Sequence, residues 1–175
     1  MKWISGMTLL LLLVLPGAAL AVGPLSWELG GRGGMNATGS DESYRAAEIY
    51  LLRDLPWRME TALGRVLTRL DLGGGYLEDS GDDKGGWLAA GGDLAWVPGN
   101  GPVALEVGFR PAWLTDHLYG DDDYGGDLQF ISHAGIALCL SRFTFSYRYL
   151  HMSNAGLYSE NDGLDLHLFG VGSRF

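Results

Sequence analysis

From Phe143 to Tyr149 the chain alternates aromatic and polar residues without a break, and that two-residue period leaves little choice of fold. Successive side chains of a β-strand point to opposite faces. One face therefore carries Phe143, Phe145, Tyr147 and Tyr149, and the other Thr144, Ser146 and Arg148. The stretch from Phe143 to Phe175 reads as one long hairpin, because Phe169, Val171 and Phe175 repeat the odd-numbered apolar set near the end. Glycine-punctuated segments of the same kind recur upstream. Strands are predicted at Leu25–Gly33, Tyr44–Leu52, Arg65–Tyr76, Trp87–Trp96, Val103–Leu114, Phe130–Leu140, Phe143–His151 and Asp165–Phe175.

Several of these segments have the roughly 9–11 residues that a tilted strand needs to cross a bilayer. The connections alternate in character. Val97–Pro102 and Ser141–Arg142 are short, whereas 34–43, 77–86, 115–129 and 152–164 are long and polar. Short turns on one side and long loops on the other are the pattern of outer-membrane barrels, with the long loops outside the cell. Asp54–Gly64, which contains Pro56, stands out as a long connection on the short-turn side. The expected fold is all-β: an eight-stranded antiparallel up-and-down transmembrane β-barrel with a filled interior and both termini in the periplasm. The terminal Phe175 resembles the assembly signal of such barrels.

The N-terminal end agrees. Lys2, an apolar run from Met7 to Leu15, Pro16 and a small-residue stretch to Ala21 read as a secretory signal peptide over residues 1–21, leaving residues 22–175 as the barrel. The apolar run is too short to span a bilayer as a helix. The lone Cys139 cannot form an internal disulfide, so an exported domain of this size needs an extensive sheet or a membrane to stabilise it. A formal charge of −9 argues against a nucleic-acid partner. The acid concentrates in Glu78–Asp83 and Asp116–Asp127, between apolar runs, and so marks loops.

Chemistry-bearing residues gather in the last hairpin. If the Ser141–Arg142 turn and Phe175 both lie at the periplasmic rim, antiparallel counting from the two ends places Asp165 opposite His151. A slip of one residue would reverse every facing. His151, Ser153 and Asp165 then share the outward face with the aromatics. Imidazole is a suitable base for activating a serine hydroxyl, and a carboxylate would hold the ring. The plainer alternative is a set of polar residues ending a strand near the headgroups, although an ionisable cluster beside lipid is costly without a purpose. His167, two residues from Asp165, is a rival base. His133 lies within a strand and His117 in an acidic loop. There is no Gly-x-Ser-x-Gly elbow, no His-Glu-x-x-His helix and no Cys-x-x-Cys pair. The Asp121–Asp127 run lacks the terminal glutamate of an EF-hand loop. No metal or cofactor is expected.

The segment His151-Met152-Ser153-Asn154-Ala155-Gly156-Leu157, followed by Asn161-Asp162-Gly163, resembles the C-terminal signature of the outer-membrane lipid A 3-O-deacylases, the PagL family. The close match covers roughly Phe143–Gly163, and the strand layout extends it loosely over the rest. The resemblance implies an esterase that removes the 3-position acyl chain of lipid A on the barrel's outer surface. It implies His151 as base and Ser153 as nucleophile, with Asn154 and Asn161 orienting the loop or stabilising an oxyanion. Turn formation through their own backbone is the alternative for both asparagines. Asp165 falls where the family carries a glutamate, a side chain longer by about one C–C bond, roughly 1.5 Å. The implied partners are lipid A within lipopolysaccharide and the outer membrane of a Gram-negative bacterium, with a homodimer as a further option. The competing expectations are a non-enzymatic small barrel, such as an adhesin or envelope structural protein, and a secreted lipocalin-like barrel.

Overall fold

The computed structural model describes residues 25–37 and 43–175. The predicted signal peptide lies outside the described residues. In chain order the strands are β1 (Trp27–Asn36), β2 (Arg45–Thr61), β3 (Gly64–Glu78), β4 (Lys84–Pro98), β5 (Val103–Leu114), β6 (Leu118–Tyr119), β7 (Asp122–Asp123), β8 (Leu128–Leu140), β9 (Phe143–Ser153) and β10 (Leu164–Arg174). Eight of them close into a barrel in the order β1-β10-β9-β8-β5-β4-β3-β2, every neighbouring pair antiparallel. The expected all-β architecture is therefore the one observed. β6 and β7 form a separate two-stranded ribbon within the loop that joins β5 to β8.

Closure tilts the strands. Cross-strand partners lead from Asp54 through Arg69, Asp93, Gly108, His133, Leu150 and Leu166 to Asn36. The next step reaches β2 at the level of Tyr44, whose carbonyl accepts from the Asn36 N–H. The path thus returns well above Asp54, as barrel closure with a staggered register requires.

One connection departs from the sequence expectation. Asp54–Gly64 is no loop: β2 continues to Thr61 and β3 resumes at Gly64. The register shifts between Asp54 and Arg58, so Pro56, which has no N–H to offer a ladder, sits in the irregular stretch. The Thr61 hydroxyl accepts from the Leu63 N–H and donates to the Gly64 carbonyl, which tightens the turn. Gly64 supplies a φ of 137° that a side chain would resist.

The two faces of the barrel reverse the usual arrangement. Outward residues such as Ile49, Leu88, Trp113 and Phe169 are exposed, while the interior buries charge. Arg32, Arg69, Arg110 and Arg148 meet Glu48, Asp71, Asp93 and Glu106, four cations against four anions. Glycine makes room for them and for large rings, Trp87 among them. A Cβ at Gly75 would stand 2.0 Å from the Trp87 indole. Gly75→Ala is therefore expected to destabilise the barrel by about 1–3 kcal/mol through overpacking, measurable as a lower urea midpoint in micelles. An unchanged midpoint would show that Trp87 moves aside freely.

At the loop end, the interior changes from charge to apolar packing. Tyr44, Leu77, Trp87, Tyr119, Tyr124 and Met152 belong to one buried cluster. Tyr119 meets Tyr44 and Tyr124 edge-on at 6.2 and 5.9 Å, and burial pushes its phenol up to about 12. This cluster seals the barrel under its long loops and gives the last hairpin a fixed upper end.

Candidate active site

β10 pairs with β9 so that Asp165 stands opposite His151, the register expected from counting inward from the turn and the terminus. Both side chains leave the sheet on the outer face, in line with Tyr149, His167, Tyr147 and Phe169. His151 Nδ1 and Asp165 Oδ1 are 2.8 Å apart. A carboxylate only accepts, so Nδ1 carries the proton and Nε2 presents its lone pair away from Asp165. The shorter acid at position 165 thus reaches the ring directly. The Asp165 and His151 side chains remain 31% and 47% exposed, so the pair is accessible from the barrel's outer surface.

Two neighbours shape the carboxylate's surroundings. Tyr149 lies diagonal to Asp165 across the strand pair, on the same outward face. His167, the rival base, is engaged elsewhere: its Nδ1 and the Tyr147 hydroxyl are 2.8 Å apart. Its ring lies edge-on to Tyr149 and stacks on Tyr147. Asp165 therefore pairs with His151, while the His167 Nδ1 contact goes to Tyr147.

Ser153 ends β9 two residues beyond His151 and lies opposite Phe130 of β8. It is half-buried at the point where the strand becomes loop. That loop is tightly framed. Asn154 is fully buried, and its Nδ2 donates to the carbonyls of Tyr124 and Glu160 at 2.9 and 2.5 Å. Its Oδ1 accepts from the Gly156 N–H at 2.8 Å, and its own N–H donates to Asn161 Oδ1 at 3.0 Å. Both Nδ2 hydrogens are thereby committed to backbone. Ala155 and Gly156 take left-handed φ of 54° and 82° directly after it. The Asp162 carboxylate accepts from the Asp123 N–H at 2.6 Å, which ties the loop to the β6–β7 ribbon. The sequence had left two roles open for these asparagines, and the contacts here are loop-framing ones.

The remaining histidines stand apart. His117 meets Asp127 in the β5–β8 connection at 3.2 Å. His133 is inside the barrel with Nε2 3.0 Å from Asp93. Asp71, Asp93 and His133 are the one group of metal-ligand type gathered among the described residues. Arg110 and Arg148 hold Asp71, while Arg69 and Arg148 hold Asp93. Guanidinium groups already supply the positive charge that a metal would bring.

Sequence reasoning overlooked one neighbour. Ser132 of β8 lies directly opposite His151, on the side away from Asp165, and faces outward. Counting inward across the Ser141–Arg142 turn would have found it, since that turn fixes the β8–β9 register.

A family model described as lipid A 3-O-deacylase (PagL) matches residues 46–174. Among solved structures, the fold resembles the crystal structure of the outer-membrane enzyme PagL with a TM-score of 0.73 at 21% identity, covering 83% of this chain and 98% of that one. It also resembles a de novo designed transmembrane β-barrel (TM-score 0.56, 13% identity, 86% and 95% covered). Neisserial surface protein A follows at 0.51 and 11%, with 86% and 97% covered. Comparison with curated protein sequences finds no match.

Proposed function

This chain belongs to the lipid A 3-O-deacylase (PagL) family of the outer membrane, and from that premise we propose that it hydrolyses the 3-position acyl ester of lipid A with Ser153, His151 and Asp165 on its outer face. The observation that carries the reading is the 2.8 Å contact between His151 and Asp165 beside the aromatic ladder. In this mechanism His151 Nε2 takes the Ser153 Oγ proton as the oxygen attacks the ester carbonyl. The tetrahedral intermediate collapses, and the same proton passes to the departing sugar hydroxyl. Water, deprotonated in turn by His151, then releases the fatty acid and restores Ser153. Asp165 fixes the ring and stabilises the imidazolium. Asn154 and Asn161 hold the loop that presents Ser153. No metal or cofactor enters these steps.

Residues 1–21 direct export in this reading and 22–175 form the mature barrel. The site faces the outer leaflet, where lipid A resides. Mass spectrometry of lipid A from cells with and without the protein tests the activity. Loss of one hydroxyacyl chain is expected, and an unchanged spectrum in a host bearing the 3-O-acyl group would favour a non-enzymatic barrel.

The acid makes a separate prediction. Asp165→Asn keeps the shape but not the charge, and is expected to lower the rate by about 10²–10⁴-fold. Asp165→Glu is not expected to raise it, because the aspartate already makes the contact. Micellar assays of both purified variants check this, and faster turnover by the glutamate variant would show that the short acid limits this enzyme.

A further inference from the structure

Ser132 shares its outward row with His151 and Asp165 across β8, β9 and β10. The other outward residues of β8 are Leu128, Phe130, Ala134, Ile136, Leu138 and Leu140, so Ser132 is the polar interruption of an apolar stripe. Its hydroxyl makes no hydrogen bond with the described residues. A hydroxyl on a lipid-facing strand is unfavourable unless a polar group of the adjoining lipid meets it. The surroundings define a shallow trough. Phe109, opposite Ser132 on β5, lines one flank and stacks at 5.7 Å on Phe130, the next outward residue of β8 toward the loops, and His151 and Tyr149 stand opposite Ser132 and Ala134 on the other. The small side chains of Ser132 and Ala134 form its floor.

We propose that this trough seats the acyl chain being removed and that Ser132 hydrogen-bonds a hydroxyl on the third carbon of that chain. The inference rests on the esterase reading above and adds a specificity residue to it. Ser153 pairs with Phe130, so Ser132 is its diagonal neighbour, at a Cα separation of roughly 7–8 Å. A carbonyl carbon held at the Ser153 hydroxyl leaves an oxygen on the third carbon three bonds further along the chain. One hydrogen bond spans the rest. A chain lacking that hydroxyl would still lie on Ala134 and the aromatic flanks but would leave Ser132 unpaired.

The test uses the full-length mature barrel folded in micelles and two chain-length-matched nitrophenyl esters, one of a 3-hydroxy fatty acid and one of the unsubstituted acid. The wild type is expected to prefer the hydroxylated ester in kcat/KM. Ser132→Ala should reduce that preference by about fivefold while leaving the unsubstituted ester's rate unchanged, and Ser132→Thr should restore much of it. An unaltered preference in Ser132→Ala overturns the proposal and leaves the esterase reading intact. Loss of both reactions in Ser132→Ala, with Ser153→Ala still active, also overturns it by making Ser132 the nucleophile. No hydrolysis of either ester by wild type counts against the esterase reading itself, and the proposal falls with it.

Discussion

Ser153→Ala is expected to stop release of fatty acid from lipopolysaccharide, with a rate loss on the order of 10³-fold or more. Methyl for hydroxyl removes the attacking atom, while the loop that presents it is held by Asn154, Asn161 and Asp162 through bonds that involve no Ser153 side-chain atom. The variant should therefore fold, which heat-modifiable migration in gels would verify. His151→Ala should cost about as much, and the double variant little more than either alone, because residues acting as one unit do not add. Fatty-acid release measured by mass spectrometry decides the matter. A folded Ser153→Ala barrel that turns over at the wild-type rate would remove Ser153 from the mechanism.

Arg148→Met is expected to cause the largest loss of stability. Arg148 is buried in the barrel, 2.7 Å from Asp71 and 3.2 Å from Glu106. Removing the guanidinium leaves Asp71 to Arg110, Glu106 to Arg69, and Asp93 to Arg69 and His133. Breaking such a pair by deleting one partner costs about 3–5 kcal/mol, mostly the penalty of uncompensated buried charge. Urea unfolding in micelles, followed by tryptophan fluorescence, would report the loss as a lower midpoint. Replacing Asp71 by Asn in the same chain should recover part of it, since one stranded charge disappears. A loss below about 1 kcal/mol would mean that the interior resolvates freely when the guanidinium is removed.

The outer face was legible in the sequence because its information is local. Parity from Phe143 to Tyr149 sorted the side chains, and one two-residue turn with one chain end set the β9–β10 register. Pro56 misled for a physical reason: a missing N–H normally ends a strand, but the register shift beside it let β2 and β3 run on. The interior was not legible. Arg148 and Asp71 come from strands well separated in the chain, and alternation says only that both point inward, not which carboxylate each guanidinium meets. Asn154 shows the same limit. Its motif could be read, but its partner Tyr124 comes from a ribbon loop whose fold no periodicity announced.

The placement of His151 and Asp165 outside a barrel filled by ion pairs has a kinetic consequence. A substrate reaching them would arrive by sliding within the leaflet, never by crossing an aqueous mouth. The governing concentration is then the mole fraction of substrate among its lipid neighbours. Diluting the membrane with inert lipid should slow the reaction at constant bulk substrate, whereas diluting the suspension with buffer should not.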